Sequence, residues 1–217
     1  MPAPPLVRGN RAVRLLSLFT GLLLFALGIV LLLESRLGLS PWDVLNQGVS
    51  EHTPLSFGEA NVAIALVVLV AARLLGARIG PGTVANAIFI GLFVDGLLAI
   101  DAIDALSGSS LATRAALMAG GILVIGAGSA FYIGAGMGAG PRDSMMLVLS
   151  RRTGTRIGAV RAGLEVAVTV LGFALGGTVG IGTLAFALGI GPSVELAFWL
   201  LERSPLADAA PDMSHAA

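Results

Sequence analysis

The sequence predicts an all-α membrane protein: a polytopic bundle of about six transmembrane helices and two half-helices, built as two internal repeats. The chain is 56% hydrophobic and only 12% charged, about half of the charged share of a typical globular domain. Its apolar segments approach the length of about 20 residues that crosses a bilayer. Residues 15–95 also align with residues 115–195 without a gap, and 21 of the 81 aligned pairs are identical.

The repeat is clearest where the backbone has special requirements. The first matching set pairs Gly38, Pro41 and Asp43 with Gly138, Pro141 and Asp143. The second set aligns residues 80–94 with 180–194 and brings Asp95 opposite Glu195. Internal duplication in an apolar chain is typical of membrane transporters, whose binding site lies between the repeats.

Six segments are long and apolar enough to span a bilayer as helices. They are residues 15–33, 61–75, 83–100, 111–133, 159–175 and 181–201. A cleaved signal peptide is not favoured, because the first segment is longer than a signal core and Glu34-Ser35-Arg36 offers no cleavage site.

The remaining segments complete the domain organisation. Residues 1–14 are interpreted as a flexible cytoplasmic N-terminus, residues 101–110 as the loop between the repeats, and residues 202–217 as a disordered C-terminal tail. Repeat 1 then occupies residues 15–100, and repeat 2 occupies residues 111–201.

The arginines indicate the orientation of the chain. All 13 basic residues are arginine. If six segments cross and the N-terminus is cytoplasmic, eleven arginines lie at or near the inner side, and only Arg36 and Arg114 lie outside. This bias follows the positive-inside rule and predicts that both termini are cytoplasmic. Each repeat then crosses three times, so the second repeat is inserted upside down relative to the first.

Residues 38–58 and 138–158 are predicted half-helices. Each segment opens with Pro and Asp, continues for about eleven helix-compatible residues and ends at Gly. About eleven residues reach only about 16 Å, half of the hydrocarbon core. A full crossing would also move Arg73 and Arg78 outside. These segments are expected either to enter the membrane and return or to lie at its surface.

The half-helix starts carry the leading candidate site residues. Ser40-Pro41-Trp42-Asp43 has the pattern of a capped helix start, and Gly140-Pro141-Arg142-Asp143 repeats it with Gly in place of Ser. In one interpretation, Asp43 and Asp143 only satisfy backbone donors. In the other, two helix N-termini face a buried ligand, and both carboxylates bind solute or protons.

Further polar and small residues occupy equivalent positions in the two repeats. Gly82-Thr83 and Gly182-Thr183 are best explained by helix packing and capping. Asn86 aligns with Phe186, which indicates that the repeats have specialised. Asp95 and Glu195 are ionisable groups in apolar helices and so are functional candidates, although both are close enough to a helix end to reach the membrane surface.

The second repeat contains a polar cluster that the first lacks: Arg142, Asp143, Arg161 and Glu165. Arg161 and Glu165 are one helical turn apart, so an internal ion pair is the simplest interpretation. With Arg151, Arg152 and Arg156, the cluster would attract an anionic solute or lipid head groups. The positive-inside rule alone also accounts for this charge.

Several functional classes are not supported. The chain has no Cys and only two His, so no metal site is recognisable. There is no basic patch with interleaved aromatic residues, which argues against nucleic acid as a partner. The glycines of residues 134–140 follow a membrane helix and not a strand, so they do not form a dinucleotide loop. No catalytic residues and no cofactor are predicted, and the protein is not expected to be an enzyme.

The chain resembles the YitT/YczE-type bacterial membrane proteins. The resemblance rests on the paired Gly-x-x-Pro-x-Asp elements at residues 38–43 and 138–143, on Gly58, and on residues 82–95. It implies a multi-pass protein of the bacterial cytoplasmic (inner) membrane with several helices. It identifies no catalytic residues.

The leading functional hypothesis is a small secondary transporter or permease for an unidentified small solute. Its site would lie between the repeats, bounded by Asp43, Asn86 and Asp143, with Arg161 and Glu165 nearby. The alternative is a non-transporting scaffold or regulatory partner of another membrane protein. A membrane-embedded enzyme is least favoured. Besides lipid and solute, a homodimer is a plausible assembly for a 21.9 kDa chain rich in small residues.

Overall fold

The protein is an all-helical bundle in a computed structural model that describes residues 5–207, apart from the side chains at positions 104, 105 and 107. The helices are α1 (Arg11–Ser35), α2 (Pro41–His52), α3 (Phe57–Leu74), α4 (Pro81–Leu98), α5 (Asp101–Asp104), α6 (Leu111–Gly134), α7 (Pro141–Thr153), α8 (Ile157–Ala174) and α9 (Ile181–Arg203). A single 3₁₀ turn, Ala105–Gly108, follows α5.

The prediction of six membrane-spanning helices is confirmed. Within the described residues, α1, α3, α4, α6, α8 and α9 are long and apolar enough to cross a bilayer. The predicted half-helices correspond to α2, with 12 residues, and α7, with 13 residues. At 1.5 Å per residue both are about 20 Å long or less, too short to span the core of about 30 Å.

Local sequence explains where these helices begin. The Asn10 side chain accepts a bond from the Val13 N–H (3.1 Å) and caps α1. Ser56 and Glu59 form a reciprocal capping box at the start of α3. Helices α2, α4 and α7 all begin with Pro at the first helical position, where its missing N–H has no helical partner to lose.

The centre of the bundle is the antiparallel pair α1 and α6. Near the start of α1, the Ser17 hydroxyl donates to the Phe131 carbonyl (2.8 Å), close to the end of α6. At the other end, the Arg114 Nε donates to the Ser35 carbonyl (2.6 Å). Between these bonds, Gly21 packs so closely on α6 that a Cβ would lie 2.7 Å from the Gly128 carbonyl oxygen. Small residues thus permit close backbone contact between the helices.

Contacts between the two halves occur in equivalent pairs. The Gly82 N–H donates to the Met137 carbonyl (2.8 Å), and the Gly182 N–H donates to the Leu37 carbonyl (2.7 Å). Helix α2 packs on α8, and α7 packs on α3. Each half-helix therefore contacts the third helix of the other half. A two-fold relation between the halves predicts that such contacts are reciprocal, but the repeat itself stays a prediction.

The termini and the central loop differ from the expectation. Residues 11–14 belong to α1, not to a flexible segment. Val7 is buried, and the Arg8 N–H donates to the Leu206 carbonyl (2.7 Å), so the two chain ends pack together. The predicted loop 101–110 contains two short helical turns. Residues 1–4 and 208–217 of the predicted termini lie outside the described residues.

Candidate functional site

A cavity of about 190 Å³ lies where the two halves of the bundle meet. Eighteen of its lining residues form nine pairs spaced by 100 positions: Phe25/Ile125, Ser40/Gly140, Pro41/Pro141, Trp42/Arg142, Asp43/Asp143, Asn61/Arg161, Ala65/Glu165, Asn86/Phe186 and Ile90/Ile190. The set contains all five residues of the predicted solute site. The structure therefore brings together Asp43, Asn86, Asp143, Arg161 and Glu165.

Asp43 is positioned by the start of α2. Its side chain is 2% exposed and accepts bonds from the Ser40 hydroxyl and from the Asn46 amide (3.1 Å). Ser40 is the N-cap, and its hydroxyl also accepts the Asp43 backbone N–H (3.3 Å). The two donors to the Asp43 carboxylate are therefore side chains of its own helix start, each three residues away along the chain.

Asp143 occupies the equivalent position in α7 with a different partner. The N-cap there is Gly140, which has no hydroxyl. The Tyr132 hydroxyl of α6 donates to the Asp143 carboxylate instead (2.9 Å). The Tyr132 ring is packed edge-on against Phe25, with centroids 6.2 Å apart. In the second half, Tyr132 of the central helix α6 therefore takes the place of the N-cap serine as the hydroxyl donor to the carboxylate.

Arg142 links the two half-helix starts. Its guanidinium carbon lies 4.9 Å from the centre of the Trp42 ring, within the range of a cation–π contact. Its charge also interacts with both Asp43 and Asp143. Since Trp42 and Arg142 are equivalent residues of α2 and α7, the N-terminal turns of both half-helices meet at the cavity.

The predicted ion pair of α8 forms on the wall of the cavity. The Arg161 Nε lies 2.8 Å from a Glu165 carboxylate oxygen, and the side chains are 45% and 26% exposed. A partly exposed pair of this kind contributes little to stability, of the order of 0–1 kcal/mol. The internal-pair interpretation and the site interpretation both agree with this placement.

Sequence reasoning missed five polar or aromatic members of the lining: Phe25, Trp42, Asn61, Ser129 and Tyr132. Asn61 is 3% exposed, and its Nδ2 has no hydrogen-bond partner among the described residues. A buried unpaired amide costs about 1–3 kcal/mol, so a bound water or solute would stabilise it. The alignment with Arg161 and Arg142 could have indicated Asn61 and Trp42, whereas Ser129 and Tyr132 have no polar equivalent.

Of the other predicted residues, Ser40, Pro41, Gly140 and Pro141 also line the cavity, and the rest lie outside its lining. Gly82 and Gly182 pack against the opposite half. Thr83 and Thr183 accept bonds from the Gly80 and Gly180 N–H groups at the starts of α4 and α9 (both 3.2 Å). These contacts agree with the packing and capping interpretation. Asp95 and Glu195 also lie outside the lining, in different surroundings that are described below.

The charges of the lining do not balance. Asp43, Asp143 and Glu165 carry three potential negative charges, against two positive charges on Arg142 and Arg161. An unbalanced charge inside a membrane protein is costly unless it is paired. One proton or one positively charged group at the cavity would balance the third carboxylate. Within residues 5–207, no group of three His, Asp or Glu side chains is arranged to hold a metal ion.

Comparison with known proteins identifies the family. Residues 12–198 match the model described as "Family of unknown function (DUF6198)". The chain belongs to DUF6198. This membership and the similarity to YczE confirm the predicted YczE-type resemblance.

Relatives of this DUF6198 chain share most of its length. An uncharacterized protein of Haemophilus influenzae is 38% identical over 189 residues, which cover 85% of each chain. The "uncharacterized membrane protein YczE" of Bacillus subtilis is 33% identical over 174 residues, covering 78% of each chain. No solved structure matches the chain. The apolar helices and the YczE similarity establish a membrane protein.

Proposed function

We propose that this protein is a small secondary transporter of the bacterial cytoplasmic membrane and that its cavity binds the transported solute. The observation that carries the proposal is the lining: one cavity between the two halves, with nine pairs of equivalent residues around it. Transporters built from repeats bind their solute in this position. The proposed role is not enzymatic.

The proposed architecture is an inverted repeat. Its support is the antiparallel pair of α1 and α6, together with the exchange of half-helices between the halves. An axis in the membrane plane would relate such halves, and rocking about it would open the cavity to alternate sides. Half-helix N-termini at a buried site, as at Asp43 and Asp143, recur in such transporters because irregular backbone is tolerated there.

The proposed solute carries a positive charge, or its transport is coupled to a proton. Either would balance the third carboxylate of the cavity. Arg142 would hold Asp43 and Asp143 close together, so a cation or proton at one carboxylate changes the field at the other. The aromatic rings of Trp42, Tyr132 and Phe186 suit a compact organic cation.

Solute uptake into proteoliposomes tests the function. Labelled tetramethylammonium, a zwitterionic betaine and a dicarboxylate are compared with and without an imposed pH gradient. The quaternary cation cannot cross a bilayer by losing a proton, so its uptake requires protein. We expect cation uptake well above that of empty liposomes, accelerated by one direction of the pH gradient.

Two outcomes would contradict this proposal. If none of the three solute classes accumulates above the empty-liposome level in either gradient, the transporter function fails. If a stoichiometric protein partner is captured from membranes as well, the scaffold alternative replaces it. Uptake of the dicarboxylate alone would contradict the charge argument and retain transport.

The proposed orientation places both termini in the cytoplasm, and reporter fusions test it. A fusion after Asp104 is expected to be periplasmic, with active alkaline phosphatase. A fusion after Arg152 is expected to be cytoplasmic, with fluorescent green fluorescent protein. The reason is that four helices precede the segment of Asp104 and three of them, α1, α3 and α4, are long and apolar enough to cross. The same compartment for both fusions would exclude the inverted arrangement.

A further inference from the structure

The two halves differ at the contact between their last two long helices, which are α3 and α4 in the first half and α8 and α9 in the second. In the first half, α3 and α4 pack tightly at Gly58 and Gly91, where a Cβ on either glycine would overlap the carbonyl oxygen of the other. Both glycines are buried. This close approach closes the first half on one side of the cavity.

The Asp95 carboxylate stabilises the contact between α3 and α4. Its carboxylate accepts a bond from the Ser56 hydroxyl (2.5 Å) and another from the Gly58 backbone N–H (2.8 Å). Both donors belong to the start of α3, and Asp95 lies near the end of α4. Hydrogen bonds to an ionised group are stronger than those between neutral groups. We call this contact, formed by Ser56, Gly58, Gly91 and Asp95, the first gate.

The equivalent residues of the second half are apart. A Cβ added to Gly158 or to Gly191 would meet no heavy atom within 4 Å. Glu195 is exposed and makes no hydrogen bond to another described residue. Helices α8 and α9, both fully described, do not pack along each other as α3 and α4 do. Equivalent glycines therefore occur in both halves, but only those of the first half lie in a close contact between two helices.

Helix α9 contains a bend position that α4 lacks. Pro192 lies inside α9, and its equivalent in α4 is Leu92. Proline removes one helical hydrogen bond and favours a kink at its position. Pro192 directly follows Gly191, so a bend at this point would shift Glu195 relative to the start of α9.

We infer that Arg156, Gly158, Gly191 and Glu195 form a second gate, which closes when the first gate opens. Gly158 and Gly191 would pack as Gly58 and Gly91 do. Glu195 would accept the Gly158 N–H and pair with Arg156, which stands where the first half has Ser56. The inference rests on the proposed function, because alternate closure of two gates is what gives a shared cavity access to two sides.

The orientation assigns a side to each gate. With both termini cytoplasmic, α3 begins and α4 ends at the outer face, so the first gate is the outer one. The second gate lies at the inner face, where α8 begins. Since the first gate is closed and the second is open, the structure corresponds to the inward-open state. The Arg161–Glu165 pair, which lines the cavity, follows Gly158 within the first three turns of α8.

Cysteine pairs test the second gate directly, and the chain has no cysteine of its own. The variants S56C/D95C and R156C/E195C are oxidised in membranes, and the remaining thiols are counted by maleimide gel shift. We expect both pairs to form disulfides, although the present structure alone predicts one only for S56C/D95C. Failure of R156C/E195C to oxidise, under conditions in which S56C/D95C does, would overturn the inference.

Glycine variants in the R156C/E195C background supply matched controls. Gly191→Val fills the space required for closure and is expected to reduce the disulfide yield at least fivefold without lowering thermal stability. Gly58→Val is expected to hold the first gate open and raise the yield. Gly163→Ala, on α8 with open space around it and alanine at the equivalent position 63, is expected to change neither. Equal yields in all three variants would also overturn the inference.

The readout separates this inference from the proposed function. Disulfide formation needs no solute, so a second gate can be established even if no transport is found; the transporter proposal would then fail alone. Measured transport with no R156C/E195C disulfide would remove the gate and leave the transporter proposal standing.

Discussion

Replacing both Asp43 and Asp143 by asparagine is expected to reduce solute uptake to the level of empty liposomes. Asparagine has the size of aspartate and can still accept a bond at Oδ1, so the fold is expected to survive. The change removes the negative charge from both half-helix starts. Losing a charged hydrogen-bond partner costs about 1.5–3 kcal/mol, which corresponds to roughly a tenfold to hundredfold loss of solute affinity for each site.

A single variant and one control variant test whether the effect is specific to the carboxylates of the cavity. Asp143→Asn is expected to weaken uptake and its dependence on the pH gradient, because Asp143 is the less buried carboxylate. Glu51→Gln removes an exposed carboxylate at the far end of the same half-helix as Asp43 and is expected to leave uptake unchanged. Wild-type uptake by the double variant would show that these carboxylates do not bind the transported species.

Arg142→Leu is expected to cause the largest loss of stability. The charge of Arg142 interacts with both Asp43 and Asp143, and its guanidinium also lies over the Trp42 ring. Removing one member of a buried charge group leaves the others uncompensated, at a cost of about 3–5 kcal/mol. Thermal unfolding in detergent, followed by loss of the monodisperse peak on size-exclusion chromatography, measures this change.

Two companion variants separate charge from packing. Arg151→Leu makes the same substitution at an exposed position of α7 and is expected to change the unfolding temperature little. Adding Asp143→Asn to Arg142→Leu removes one uncompensated carboxylate, so it is expected to recover part of the lost stability. Equal unfolding temperatures for Arg142→Leu and Arg151→Leu would contradict the central role of Arg142.

The sequence predicted the local structure well, because helix boundaries depend on neighbouring residues. Every long helix begins within four residues of its prediction, as shown by α1, predicted from residue 15 and observed from Arg11. The start of α2 follows from Ser40 as the cap and Pro41 at the first helical position. Asp43, Asn86 and Asp143 each follow a helix start that the sequence marks with proline, whereas their meeting with Arg161 and Glu165 in one cavity is a result of tertiary packing.

Other parts of the site depend on contacts between distant segments. The partner of Asp143 is Tyr132, on a central helix of the bundle, and no spacing rule relates a tyrosine to a following half-helix. The unpaired amide of Asn61 becomes apparent only when its burial is known. The burial of Val7 and the hydrogen bond from the Arg8 N–H to the Leu206 carbonyl were likewise absent from the sequence patterns, which indicated only polar, proline-containing segments.

The amino-acid sequence alone determined an apolar, all-helical membrane chain, its six spans, its two short helices and the residues equivalent between its halves. Tertiary structure alone decided how equivalent residues are used. Gly58 and Gly91 are in close contact, whereas Gly158 and Gly191 stand in open space, although the residue types are identical. The physical reason is that a glycine permits close packing but does not impose it. Whether two helices meet depends on the balance of contacts over the whole bundle.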